Sequence, residues 1–239
     1  MHIFLTGSSG FIGRHLMKAF IAQGHSITCA VRKLPEVQEN NVRYVIADFT
    51  DPVSSKDWTR ELQNVDVVVN AVGIIREHDA HTFEMLHTQT PIALFQACGR
   101  EGVGLIVQIS ALGADEDAVS PYHLSKKAAD DYLERSNIPA VILQPSLVYG
   151  QGGVSASLFN TLASMPVLVK FGHGRQMIQP IHIDDLVDAV VLSISHFEKS
   201  VRKIALVGPS PMTLTEFLMS LRQTMRMRPP PIIESPRLS

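Results

Sequence analysis

The stretch Thr6-Gly7-Ser8-Ser9-Gly10-Phe11-Ile12-Gly13 decides how this chain is read. It follows a short β-rich run at residues 2–5. After it, Phe11, Ile12, Leu16, Ala19 and Phe20 recur at helical spacing, and Gly24 closes that pattern. Gly7 permits a tight turn, Gly10 lets the backbone approach a pyrophosphate, and Gly13 lets the helix pack closely on the strand. Free N–H groups and the positive end of the helix dipole would then face the phosphates. Ser9, Phe11 and Ile12 are therefore counted with the three glycines as cofactor-contacting residues. The G-x-x-G-x-x-G spacing is one residue longer than the ordinary dinucleotide fingerprint. A glycine-rich loop with no ligand is the competing explanation. Its place after a strand, at the start of an alternating chain, argues against that.

Outward from this turn, strand-like runs at 25–31, 42–46, 65–70, 105–109 and 141–144 alternate with helical patterns at 82–100 and 121–135. The first of those helices is expected to kink or restart at Pro91. Strands alternating with helices predict an α/β fold, a doubly wound parallel sheet of Rossmann type covered on both faces. Residues 1–150 are expected to form the dinucleotide-binding domain. Residues 151–239 are expected to form a small substrate-side region that partly packs back on it. There, Gly, Ser and Gln cluster at 150–157, and a helix near 158–163 and a β-rich stretch at 177–183 follow. Asp184 or Asp185 is read as the cap of a helix to about residue 195. A strand is expected at 201–207, a capping box at Thr213–Glu216, and an extended tail from about Pro229. Either the substrate-side region is pared down or, as the proline-rich ending suggests, the chain is shortened after its last helix.

The chain has 239 residues, 45% of them apolar and 18% charged, which is a globular composition. Its 21 basic and 23 acidic residues leave a net charge of -2, with no surplus for nucleic acid or an anionic membrane. Cys29 and Cys98 make neither a metal-ligand pair nor a disulfide framework, which fits a reducing, cytoplasmic setting. Residues 136–169 carry no charge, but prolines and glycines break them into short pieces, so no transmembrane segment is expected.

The second strand bears on the choice of cofactor. It ends Ala30-Val31-Arg32-Lys33, with no acid until Glu36. A carboxylate there would bind a ribose 2′-hydroxyl, whereas two cations suit a 2′-phosphate, so NADP(H) is preferred over NAD(H). The alternative is that Arg32 and Lys33 are solvated loop charges. Further on, Tyr122-His-Leu-Ser-Lys126 opens a helix, with Ser120 as N-cap and Pro121 at its first position. A spacing of four puts Tyr122 and Lys126 on one face. An ammonium beside a phenol lowers its pKa, so Tyr122 can exchange a proton with a carbonyl or alcohol oxygen. Ser110, at the end of the preceding strand, can orient that oxygen. Tyr-x-x-x-Lys alone is common; the glycine turn and Ser110 in the right order give it weight.

With these residues the sequence resembles the short-chain dehydrogenase/reductases, over about residues 1–225. The further carriers are Asp48-Phe49, Asn70-Ala71-Val72-Gly73 and Gln144-Pro145-Ser146-Leu147-Val148-Tyr149-Gly150. The detail is most similar to the extended and atypical branch, the epimerase/dehydratase-like proteins. Ser110–Ala114 and Gln179–Asp185 are similar to relatives of the dinucleotide-binding accessory subunit of respiratory complex I. The resemblance implies that Asp48 contacts adenine and Phe49 lines its pocket. It implies that Ala71, Val72 and Gly73 border the cofactor ribose, and that Pro145, Ser146 and Val148 flank the nicotinamide. Two positions depart from the pattern: Gln144 stands where Arg is frequent, and Leu86-His87-Thr88 where an Asn is frequent.

Other candidates are read as ordinary surface. His78, His81 and His87 are taken as a solvated cluster rather than a metal site, since no fourth ligand is evident. Arg222, Arg226 and Arg228 are taken to favour the C-terminal end of the last helix. The expected function is an NADP(H)-dependent oxidoreductase acting on a small molecule through Ser110, Tyr122 and Lys126. A dinucleotide-bound accessory or sensor protein, and a nucleotide-sugar epimerase or dehydratase, are the alternatives. Substrate choice is assigned to the loop after Gly150 and to Phe171, Gly172, His173, Arg175 and Gln179. No oligomeric state is implied.

Overall fold

A computed structural model describes residues 1–50, 58–79, 81–170, 176–196 and 200–234. Gly172 and the candidate substrate-side residues Phe171, His173 and Arg175 lie outside them. The glycine turn joins β1 (His2–Thr6) to α1 (Phe11–Ala22), and β2 (Ser26–Val31) and β3 (Val42–Ile46) follow. Then come β4 (Val67–Asn70), α2 (Thr90–Glu101), β5 (Leu105–Ile109), α3 (Pro121–Arg135) and β6 (Ala140–Pro145).

With strand Arg202–Leu206 these form one seven-stranded sheet, in the order Arg202–Leu206, β6, β5, β4, β1, β2, β3. Every pairing is parallel. Every residue of β4 and β5 is buried, as continuous apolar runs in a doubly covered sheet should be. The order reverses at β1, which lies between β2 and β4, so the carboxyl ends of β1 and β4 border the crevice where such sheets bind ligands.

Helix α1 turns Leu16 and Phe20 inward, and Gly24, at φ 74°, follows its end. Helix α3 starts as its sequence demands: the Ser120 side chain accepts from the His123 N–H, and Pro121 needs no hydrogen bond. The expected break at Pro91 falls earlier. Residues Glu84–Gln89 form a π-helical turn, and α2 resumes at Thr90 with Pro91 in its first turn.

The chain divides into two compact units, Met1–Pro145 with Asp184–Leu206, and Ser146–Ile183 with Val207–Ser239. The second unit holds α4 (Val154–Ser164), longer than the helix expected at 158–163. Helix α5 (Ile183–Ser195) begins a residue before Asp184, so Asp184 and Asp185 sit inside its first turn rather than capping it. Their charge still suits the positive end of the helix dipole. In the second unit, Thr213 and Glu216 make the expected capping box of α6 (Leu214–Thr224).

Arg222 stands in the last turn of α6, as expected, and it also makes contacts that the sequence did not show. Arg222 is buried: its guanidinium donates to the carbonyls of Ala163, Met165 and Arg228, tying α4 to α6. The tail from Pro229 includes strand Ile232–Glu234, paired parallel with Leu168–Lys170. No helix among the described residues is long and apolar enough to cross a membrane.

Candidate active site

At the carboxyl end of β1 the turn folds on itself. The Gly10 N–H donates to the Gly7 carbonyl at 2.9 Å. Gly7 has φ 72°, and a Cβ on it would stand 2.5 Å from the Ala71 carbonyl oxygen at the end of β4. A Cβ on Gly13 would enter the Gly7 carbonyl, so Gly13 is bare because it packs on the turn rather than on the strand. Beneath it, Thr6 Oγ1 donates to Asn70 Oδ1, and Asn70 Nδ2 donates to Gln108 Oε1 at 2.7 Å. This buried polar belt across β1, β4 and β5 was not anticipated; it secures the strand ends from which the site projects.

A cavity of about 210 Å³ opens there. Gly7, Ser9 and Gly10 line it from the turn, and Ala71, Val72 and Gly73 from the end of β4. Phe11 and Ile12 form the first turn of α1. Phe49 lines the cavity while packed against Trp58, ring centroids 5.4 Å apart. Asp48 is exposed and accepts from the N–H and hydroxyl of Thr50, whose N–H first of all holds the carboxyl below its ordinary value. Arg32 lines the cavity; Lys33 is exposed beside it in sequence. The bare cradle and the adjoining pocket fit the adenosine and pyrophosphate of a dinucleotide.

The other candidates gather on α3. Tyr122, Lys126 and Asp130 recur every four residues along one face. Lys126 is 4% exposed and its Nζ donates to the carbonyls of Val72, 3.2 Å, and Ile109, 3.1 Å. Gly73 is bare chiefly for this reason, since a Cβ there would stand 3.2 Å from that Nζ. Burial pulls Lys126 down to about 8, with Asp130 opposing it. Tyr122 is half-buried, edge-on to Phe83, His87 and His123. Burial raises its pKa, while the Lys126 ammonium that was expected to lower it donates to two carbonyls.

Ser110 donates its hydroxyl to Asp130 Oδ2. Asp130 is fully buried, and Gln144 Nε2 reaches the same oxygen at 3.3 Å while donating to the Ala114 carbonyl at 2.9 Å. Asp130 Oδ1 has no partner among the described residues. Burial pushes this carboxyl up to about 6, against the pull of Ser110, Gln144, Lys126 and Lys203. Sequence reasoning missed Asp130, although the four-residue spacing that joined Tyr122 to Lys126 reaches it.

His87 is not solvated either. It is fully buried in the π-helical turn, and its Nε2 accepts from the Ile74 N–H at 3.0 Å. The ring proton is therefore on Nδ1, which donates to Ser125 Oγ at 3.0 Å; Ser125 in turn donates to the Tyr122 carbonyl. Burial, with Lys126 nearby, drives His87 down to about 3, so it is neutral near pH 7. Its standing where Asn is frequent was the available signal. Pro145 ends β6 in the first unit. In the second unit, Ser146 Oγ donates to the Gln179 carbonyl, and Val148 pairs with Ile181. Among the described residues, no group of three or more His, Cys, Asp or Glu is placed to hold a metal.

Fold and site together define a Rossmann protein of the extended short-chain dehydrogenase/reductase superfamily. Residues 3–208 match the NAD dependent epimerase/dehydratase family, and the chain belongs to it. It is 27% identical over 187 residues to a ceramide reductase of Caulobacter vibrioides, covering 77% of this chain and 57% of that protein. It is 26% identical to the photosystem II assembly factor Ycf39 of a Synechocystis species, covering 60% of this chain and 44% of that protein. These matches span about half the length of the two relatives. Among solved structures, the UDP-glucuronic acid 4-epimerase of Bacillus cereus, in complex with UDP-glucuronic acid and NAD, superposes with a TM-score of 0.79. That superposition covers 98% of this chain and 86% of the other at 19% identity.

Proposed function

We propose that the protein is an NADP(H)-dependent oxidoreductase acting on a carbonyl or alcohol. The observation that supports this reading is the placement of Lys126 between the other two candidates. Tyr122 and Lys126 share one face of α3, and Lys126 Nζ reaches the carbonyl of Ile109, next to Ser110. Nicotinamide, when bound, supplies or accepts the hydride. Tyr122 gives its phenolic proton to the substrate oxygen in reduction and recovers it in oxidation. With its pKa raised, Tyr122 is a proton donor near neutrality, which suits reduction. Lys126 holds the ends of β4 and β5 together through the Val72 and Ile109 carbonyls and borders the ribose. Ser110 orients the substrate oxygen, and Pro145, Ser146 and Val148 flank the nicotinamide. Gly7, Gly10 and Gly13 admit the pyrophosphate, and Arg32, with Lys33, favours a 2′-phosphate.

The test is a carbonyl and quinone screen with NADPH and NADH. Tyr122→Phe should lower turnover by about 100-fold or more. Equal activity in the two proteins would remove Tyr122 from the reaction, and equal affinity for the two cofactors would remove the 2′-phosphate preference. A second reading, a cofactor-bound accessory protein, is favoured by the likeness to an assembly factor. Nucleotide retention without turnover would select it. An epimerase or dehydratase would use the same residues for a transient oxidation.

A further inference from the structure

Two of the three histidines after β4 are left without a role by the site above. His78 and His81 close a tight turn by exchanging backbone hydrogen bonds, 3.2 and 2.8 Å long, across Asp79 at φ 47°. Their rings stack at 4.5 Å, within 5° of parallel. Both line the cavity that Gly7, Gly10 and Arg32 also line. The turn descends from β4, on one side of β1, whereas Arg32 comes from the end of β2, on the other. Nevertheless Arg32 Nη1 lies 2.6 Å from His81 Nε2. A guanidinium has only donors, so that ring nitrogen accepts and the His81 proton sits on Nδ1. Nδ1 is buried and has no partner among the described residues.

We propose that His81 is a cofactor-specificity residue that joins Arg32 in a clamp on the 2′-phosphate of adenosine, with His78 holding its ring in place by stacking. The clamp rests on the NADP(H) preference proposed above and extends it to a loop that the glycine fingerprint does not contain. Its physical basis is the mismatch in the present contact. Arg32 donates to a neutral ring, and that ring keeps an unmatched N–H. A phosphate dianion accepts charge-assisted bonds that are stronger than a bond to a neutral imidazole, and it has oxygens for both donors. A 2′-hydroxyl offers neither the charge nor the extra oxygens. Asp48 is the counterweight, since its carboxylate feels Arg32; a second donor beside Arg32 offsets that acid against an incoming anion.

The probes are adenosine 2′,5′-bisphosphate against adenosine 5′-monophosphate, and NADP+ against NAD+, titrated calorimetrically into the full chain. His81→Ala should weaken the 2′-phosphorylated member of each pair about tenfold or more and leave the other within about twofold. His81→Gln, which keeps a donor, should recover part of the loss, and His78→Ala should lose less. Equal weakening of both members, or of neither, would overturn the clamp. If Arg32→Ala abolishes discrimination while His81→Ala keeps it, the clamp fails and the NADP(H) preference stands. If the wild type does not discriminate at all, both fail. Unchanged melting temperatures show that the variants remain folded.

Discussion

At the carboxyl end of β1 the site surface is backbone. Gly7 and Gly13 have no room for a methyl group, and among the described residues no ionised side chain is buried there. At the carboxyl end of β5 the materials are reversed, since Lys126, Asp130, His87 and Ser110 are all buried side chains. The first end works by exclusion, so any added atom harms it. The second works by charges held out of water, so pH and isosteric changes should move it while the fold stands.

The largest expected effect tests the first half of that contrast. Gly13→Ala puts a methyl group into the Gly7 carbonyl and should abolish dinucleotide binding. Overpacking of this kind costs about 1–3 kcal/mol, a fall of several degrees in Tm. A Gly13→Ala protein that still binds cofactor normally would show that the turn is not sterically closed. Next in size, Lys126→Met should cut nucleotide affinity and turnover together and lower Tm. An apolar side chain of similar length leaves the two carbonyls without their donor and the buried Asp130 carboxyl without its cation, which outweighs the relief of a buried ammonium. A rise in Tm would mean that desolvation outweighs those contacts.

The pH prediction sharpens the second half. Asp130 keeps its proton in the fold up to about 6, against an ordinary value of 3.8. Between those values the folded chain binds more protons than the unfolded one, so stability falls as pH rises and then stays lower. Asp130→Asn should therefore match wild type near pH 4 and be more stable near pH 8, by up to about 3 kcal/mol. Parallel pH–Tm curves would contradict a raised Asp130. The smallest effect serves as a control. Arg43→Ala removes a surface pair between an exposed Arg43 and a partly buried Glu61 and should change stability by less than about 1 kcal/mol.

These contrasts also explain what was legible in the sequence. The sheet was readable because its strands are short apolar runs at regular spacing, and Val67-Val68-Val69 states its burial outright. The glycine turn was readable because a missing side chain is visible as a letter. The buried polar residues were not, because His87 and Asp130 look like ordinary helix residues until the fold removes water from them. The burial of Arg222 was hidden for the same reason: two of its three carbonyl partners, Ala163 and Met165, come from distant chain. The His78–His81 turn was hidden because its partner, Arg32, lies 49 residues from His81.

The π-helical turn at Glu84–Gln89 has a consequence for the phase of everything around it. In an α-helix three successive residues fan across about 200° of the circumference, so they do not all face one neighbour. Here Leu86, His87 and Thr88 are all buried. The wider turn holds one surplus residue, and deleting a residue within it would restore regular winding and swing the preceding side chains by about 100° around the axis. His87 would leave the Ile74 N–H, and Ser125 would lose the ring that now links it to the β4 loop. The orientation of the His87 ring beside Tyr122 is thus set by a count of residues as much as by their kind.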